Sequence, residues 1–113
     1  MKISEIATLT NAQIVTDFKG DKDVGRAFSS DLMSDVLTLD DENILLITGL
    51  ANIQLIRTTE MADIEVVLLS RGKQATPEMI ELANENGLLI METPFSLFRA
   101  SGILFSNGLK PVY

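Results

Sequence analysis

The sequence contains neither cysteine nor histidine. That removes thiolate nucleophiles, disulfides, imidazole bases and the usual ligands of zinc and copper. No apolar run approaches the ~18 residues of a membrane span, and no basic amino-terminal stretch leads into an apolar one. Neither insertion nor export is expected, and the cytoplasm is the expected location. Positive charge is also scarce, with 9 Lys and Arg against 16 Asp and Glu for a net charge of −7. Twelve of the acids and five of the bases fall in residues 1–65, and the remainder of the chain holds four of each. Such a field repels nucleic acid, and Arg71, Lys73, Arg99 and Lys110 are too few to make a phosphate-binding footprint.

What is present is aliphatic. Residues of apolar type make up 46% of the 113, aromatics only 5%, a balance that suits helices packed on an aliphatic sheet. One core suffices at this length, so residues 1–113 are read as a single stand-alone domain. Three short apolar runs, at 44–48, 65–69 and 88–91, are separated by segments of helical spacing. Continuous runs of this kind belong to strands of a parallel sheet covered by helices on both faces, which implies right-handed βαβ crossovers. The fold expected is α/β, three layers with a mostly parallel central sheet. No linker, low-complexity tract or internal repeat interrupts it.

Start and stop signals punctuate the helices. Thr76-Pro77 reads as N-cap and first-turn proline with Glu78 at the positive end, and Asn86-Gly87 closes that helix. Thr93-Pro94 and Asn107-Gly108 repeat the pattern. In that last helix Phe95, Phe98, Gly102 and Phe105 share a stripe expected to face the sheet, with Gly102 permitting close approach. Asn52 is placed to cap a helix whose inner face uses Leu55, Ile56, Thr59 and Ala62. Nearer the amino terminus, Ile3, Ile6 and Leu9 fit a short helix. Residues 13–16 and 25–29 are expected as strands of a hairpin joined by the charged loop around Gly20, followed by a short helix over 31–39.

Gly72-Lys73 invites comparison with a phosphate loop, but Val67 stands where glycine is needed and Gln74 where Ser or Thr is needed. No GxGxxG is present either. In an open parallel sheet, ligands bind beyond the carboxyl ends of the strands. There the sequence places Thr48-Gly49, Ser70-Arg71-Gly72-Lys73 and Thr93, three loops that should converge. Backbone amides at helix starts together with Arg71 and Lys73 would favour an anion. The bland alternative is that Gly49 and Gly72 only turn the chain and the two bases are solvated. Asp17, Asp21 and Asp23 lack the order of a calcium loop and its closing glutamate, so a plain loop is expected and no metal. Asp31 and Asp35 would share a helix face. Ser29 or Ser30 would cap that helix or touch a ligand. A serine nucleophile would need a lysine base, and no spacing supplies one.

The stretch Phe28-Ser-Ser-Asp-Leu-Met-Ser-Asp-Val-Leu, followed by Glu42-Asn-Ile-Leu-Leu-Ile-Thr-Gly, resembles a DRTGG domain. The likeness continues through Val66-Val-Leu-Leu-Ser-Arg-Gly and Thr76-Pro-Glu-Met-Ile-Glu-Leu-Ala to Leu88-Leu-Ile-Met-Glu-Thr-Pro-Phe-Ser-Leu-Phe, covering nearly the whole chain. That family is similar to the amino-terminal domain of HPr kinase/phosphorylase and, distantly, of the Mur ligases. The resemblance implies a three-layer α/β fold, a homodimer, and regulatory work of the kind such domains do beside CBS pairs in nucleotide-regulated enzymes. The family's Asp-Arg falls near Ala51-Asn52 and its Thr-Gly-Gly near Ser70-Arg71-Gly72, where only the last glycine is kept. Ser30-Asp31 lies about where Mur ligases carry an Asp-Ser-Arg tract that contacts a uridine nucleotide, without the arginine.

The reading that results is a non-catalytic regulatory or ligand-sensing domain, acting through a protein partner and binding a nucleotide or small anion. Its ligand residues would be Ser30, Asp31, Thr48, Gly49, Asn52, Ser70, Arg71, Gly72, Lys73 and Thr93, with no cofactor. The alternative is a structural or adaptor subunit of a larger assembly, docking through an exposed patch such as Met33, Val36 and Leu37. A small hydrolase or transferase is a third class, which loss of turnover on changing Arg71 or Asp31 would mark.

Overall fold

A computed structural model describes residues 1–113. Helix α1 (Ile3–Thr10) is followed by β1 (Gln13–Ile14), β2 (Arg26–Ser29), α2 (Met33–Val36), β3 (Ile44–Thr48) and α3 (Ile53–Met61). Then come β4 (Val66–Leu69), α4 (Pro77–Asn86), β5 (Leu89–Glu92), α5 (Leu97–Ser106) and β6 (Lys110–Pro111). The strands form one sheet in the order β1-β5-β4-β3-β2-β6. All pairings are parallel except that of β1 with β5. No helix is long and apolar enough to cross a membrane.

The apolar runs form strands because both faces of the sheet are covered. Along β3, Ile44 and Leu46 enter a core shared with α2, α3 and α4, whereas Leu45 and Ile47 enter a second core shared with α1 and α5. Val67, Leu69 and Ile90 join the first core, and Val66, Leu68, Leu89 and Met91 the second. The period-2 alternation of a strand thus divides one continuous run between two helix layers. The result is the expected three-layer α/β/α arrangement.

Local signals fix the α3 and α4 boundaries. Asn52 Oδ1 accepts from the Leu55 amide and Thr76 Oγ1 from the Met79 amide, each satisfying an orphan first-turn donor. Pro77 opens α4, and Gly87, at φ 69°, closes it in the left-handed conformation that glycine adopts without cost.

Four expectations are corrected. Residues 13–14 and 26–29 do not form a hairpin: β1 lies at one edge beside β5 and β2 lies beyond β3. The intervening segment crosses the amino end of the sheet, held where Ile3 N–H donates to Lys22 O and Asp17 N–H to Asn84 Oδ1. Second, only residues 33–36 of the expected 31–39 helix are helical, so Asp31 and Asp35 do not share a helix face. No side chain caps that turn: Ser30 Oγ accepts from the Leu32 amide in a local turn, and Ser29 Oγ lies 2.7 Å from Ser101 Oγ instead. Third, α5 is capped by Ser96, whose hydroxyl accepts from the Arg99 amide, and not by Thr93. Fourth, the aromatic stripe of α5 faces outward. Ala100 and Leu104 take the core side, where Leu97 also packs, and the small residue allowing close approach is Ala100. Phe98 and Phe105 are 88% and 66% exposed. A helix with two apolar stripes gives periodicity no means of choosing between them.

Candidate functional site

The carboxyl ends of β2, β3, β4 and β5 lie side by side, so the segments that follow them share one end of the molecule. There Asp31, Thr48, Gly49 and Ser70 come together. Asp31 Oδ1 accepts from Thr48 Oγ1 at 2.9 Å and from the Gly49 amide at 2.6 Å. These bonds, charge-assisted on the acceptor side, explain why Asp31 turns to β3 rather than joining the short α2. Thr48 Oγ1 in turn accepts from the Leu50 amide. The second carboxylate oxygen, Oδ2, makes no hydrogen bond within the chain.

Across Gly49 stands Ser70, 1% exposed, its backbone N–H donating to Thr48 O while its hydroxyl has no partner. A carbon placed where a Gly49 side chain would begin lies 3.5 Å from both Asp31 oxygens and 3.6 Å from Ser70 Oγ. The missing side chain therefore leaves a notch. It has a carboxylate oxygen on one side and an unsatisfied hydroxyl on the other, at the end of three adjacent parallel strands. An occupant would need a donor for Asp31 and either a donor or an acceptor for Ser70.

The loop after β4 continues from Ser70 toward the end of β5. Arg71 adopts φ 58° and Gly72 φ 69°; the left-handed region is ordinary for glycine and uncommon for arginine. This turn directs the Arg71 amide to Phe95 O and the Gly72 amide to Thr93 O, at 2.6 and 2.9 Å. The Lys73 amide donates to Ser70 O, and the Ala75 amide to Glu92 Oε2 at 2.7 Å. These donors are consumed within the fold, so the loop offers an anion charge rather than a cradle of amides. Arg71 and Lys73 are exposed and belong to no ion pair. Nearby, the Arg99 guanidinium stacks 3.7 Å from the centre of the Phe95 ring, whose residue accepts from the Arg71 amide. A polar hollow of about 260 Å³ lies against this loop, bounded by Asn11, Gln13, Lys73, Glu92 and Thr93.

Charge is polarised between the two ends of the sheet. Asp40, Asp41, Glu42, Asp63 and Glu65 line a cleft of about 510 Å³ at the opposite, amino end, where Lys22 pairs with Glu65. Arg71, Lys73 and Arg99 stand at the carboxyl end.

Of the ten residues marked in the sequence, four, Asp31, Thr48, Gly49 and Ser70, meet at the notch, and Arg71, Gly72 and Lys73 follow Ser70 in a loop whose Arg71 and Gly72 amides bond to Phe95 and Thr93 beyond β5. Ser30 is engaged with the Leu32 amide and Asn52 with its helix cap. Thr93 is buried, donating to Thr10 O and accepting from the Phe95 amide, so it ties α1 to β5. Glu92, which holds the loop through Ala75, escaped the sequence reading. An acid ending an otherwise apolar run was its only signal. The patch proposed at Met33, Val36 and Leu37 does not exist: Met33 and Val36 are buried, and Leu37 alone is exposed.

No protein-family model matches the sequence, and no curated protein matches it. Among solved structures, the chain is similar to the CBS and DRTGG domains of the regulatory region of the Clostridium perfringens pyrophosphatase, a complex with its activator, diadenosine tetraphosphate. The likeness has a TM-score of 0.73 at 16% identity and covers 97% of this chain and 47% of that one, so this chain spans about half the length of its neighbour. The class is thus an open, mostly parallel α/β domain with helices on both faces. Within that class the fold is DRTGG-like.

Proposed function

We propose that this chain is a non-catalytic regulatory domain that senses a nucleotide or related small anion at the Gly49 notch and acts through a protein partner. The observation that carries the reading is the buried, unpartnered Ser70 hydroxyl facing the free oxygen of Asp31 across Gly49. A ligand hydroxyl, such as one of a ribose, donates to Asp31 and accepts from Ser70, while phosphate oxygens reach Arg71 and Lys73 in the loop after Ser70. Placement beyond the strand ends agrees with where open α/β sheets bind ligands. The solved neighbour supports a regulatory role by its fold and by its own activator, a dinucleotide. A non-catalytic reading is supported by the notch itself: Ser70 Oγ has no hydrogen-bonded base to activate it as a nucleophile.

Thermal shift tests this directly. At 100 times its dissociation constant a ligand stabilises by about 2.7 kcal/mol, or about 10 °C for a chain of this length. Adenosine, AMP, ATP and inorganic phosphate form the panel. A shift with the nucleotides that is lost in Asp31→Asn and weakened in Arg71→Gly supports the reading. No shift with any of them overturns its ligand half. A second reading, an adaptor subunit without a small ligand, draws on the exposed aromatic face of α5.

A further inference from the structure

Four of the seven glycines, Gly20, Gly72, Gly87 and Gly108, sit at positive φ, where a side chain is strained. Gly25 and Gly102 face open space. Gly49 fits neither group. Its φ lies outside the left-handed region, and a Cβ there would come no closer than 3.5 Å to its neighbours, ordinary van der Waals contact. Backbone and packing would both accept alanine. What sets the position apart is the chemistry around it. Beyond the flanking residues, the three atoms nearest to that point are all oxygens, two of the Asp31 carboxylate and the Ser70 hydroxyl, at 3.5, 3.5 and 3.6 Å.

We infer that Gly49 makes the notch a reader of a single hydroxyl, so that the nucleotide it takes must carry one particular sugar hydroxyl free. The inference rests on the nucleotide reading above and narrows its ligand class. Capacity is the first argument. The space is that of one Cβ, so one heavy atom enters, and an oxygen bearing a methyl or phosphate group does not fit. Of the adjacent 2′ and 3′ hydroxyls of a ribose, only one can be read. Polarity is the second argument. A carboxylate only accepts, so the atom entering beside Asp31 Oδ2 must donate to it. With its one proton spent there, a hydroxyl accepts from Ser70 Oγ, which has no other partner. The distances to the Cβ point exceed the ~2.7–2.8 Å of an O–H···O bond by less than 1 Å, an adjustment within reach of the two side chains. A C–H in the same place covers both groups and replaces neither bond. Sites built around a hydroxyl reject the analogue lacking it by roughly 10⁴–10⁵. Because Asp31 is exposed, a smaller factor of about a hundred is expected here.

Isothermal titration calorimetry of the full chain with AMP, 2′-deoxy-AMP, 3′-deoxy-AMP and the 2′- and 3′-O-methyl ethers of AMP tests this. One deoxy analogue is expected to bind about a hundredfold more weakly than AMP and the other within about threefold of it. The methyl ether at the discriminated position should be as weak as its deoxy counterpart. Gly49→Ala, whose Cβ occupies the notch, should melt close to wild type and bind AMP no better than wild type binds the discriminated analogue. Should that variant fail to fold, Ser70→Ala takes its place, and the preference for AMP over that analogue should shrink by about tenfold. A wild type that binds none of AMP, ATP and adenosine overturns the nucleotide reading and this inference with it. Binding that Asp31→Asn removes, yet which treats AMP and both deoxy analogues alike, weakens with both, accepts the ethers, or survives in Gly49→Ala, overturns the single-hydroxyl inference alone and leaves the nucleotide reading standing.

Discussion

Ser70→Ala removes one oxygen from a residue that is 1% exposed, keeps its backbone bond to Thr48 O, and breaks no side-chain hydrogen bond, because none exists. A buried hydroxyl without a partner costs the folded state about 1–3 kcal/mol relative to its solvated state in the unfolded chain. The packing lost with one oxygen is a few contacts of ~0.1–0.2 kcal/mol each. Stability should therefore rise by about 1 kcal/mol. With an unfolding entropy of ~2.1 cal/mol/K per residue, that gain is about 4 °C for 113 residues. Calorimetry without ligand gives the melting temperature, and urea titration gives the free energy independently, with an unchanged m-value marking a true stability effect. The same variant should lose nucleotide-induced stabilisation, so it gains where the apo fold is measured and loses where the complex is. A fall in apo stability of 1 kcal/mol or more would mean that Ser70 Oγ is satisfied in solution, and the account of the notch would fail with it.

Asp31→Ala should destabilise by about 1–2 kcal/mol, because it strands the Thr48 hydroxyl and the Gly49 amide; Asp31→Asn, which keeps an acceptor, should cost less in the same urea titration. Gly87→Ala forces φ 69° on a residue with a side chain and should cost about 1 kcal/mol, whereas Gly102→Ala, in mid-helix with open space around it, should stabilise by a similar amount relative to glycine. Asp21, whose carboxyl accepts from the Ser4 hydroxyl at 2.6 Å, is held below its ordinary 3.8 chiefly by that bond. A lowered folded value means stability that is complete above 3.8 and lost as the pH falls through the folded value. The stability difference between wild type and Asp21→Asn should thus vanish at the acid end of a pH series and persist at neutrality.

What was legible in the sequence is what local chemistry decides. The runs at 44–48, 65–69 and 88–91 could be placed in a doubly covered sheet because uninterrupted aliphatic strands have no other stable home. Asn52, Thr76-Pro77 and Gly87 announced helix ends because a cap acts within four residues of itself. What could not be read depends on distant partners. Gln13 and Ile14 form a strand through Glu92 and Met91, and nothing near residue 13 carries that information. Asp31 was assigned to a helix it precedes because a hydroxyl and an amide seventeen and eighteen residues further on outcompete a one-turn helix for its carboxylate. For the site, the strand-end rule placed Thr48, Gly49 and the 70–73 loop together at the carboxyl end of the sheet, where they lie. The orphaned state of Ser70 and the internal use of the loop amides emerge only from packing.

The edge strands have a consequence for folding order. β1, near the start of the chain, pairs with β5, and β6, near its finish, pairs with β2. About 80 residues separate Gln13 from its partner Glu92, and at ~5–20 residues per second of synthesis β1 waits some 4–16 s for a strand to join. During that interval α1 carries Ile3 and Ile6, side chains destined for a second core of which Leu89 and Met91 on β5 and Ala100 and Leu104 on α5 are still to be made. β1 is therefore among the last elements of the sheet to be secured during synthesis.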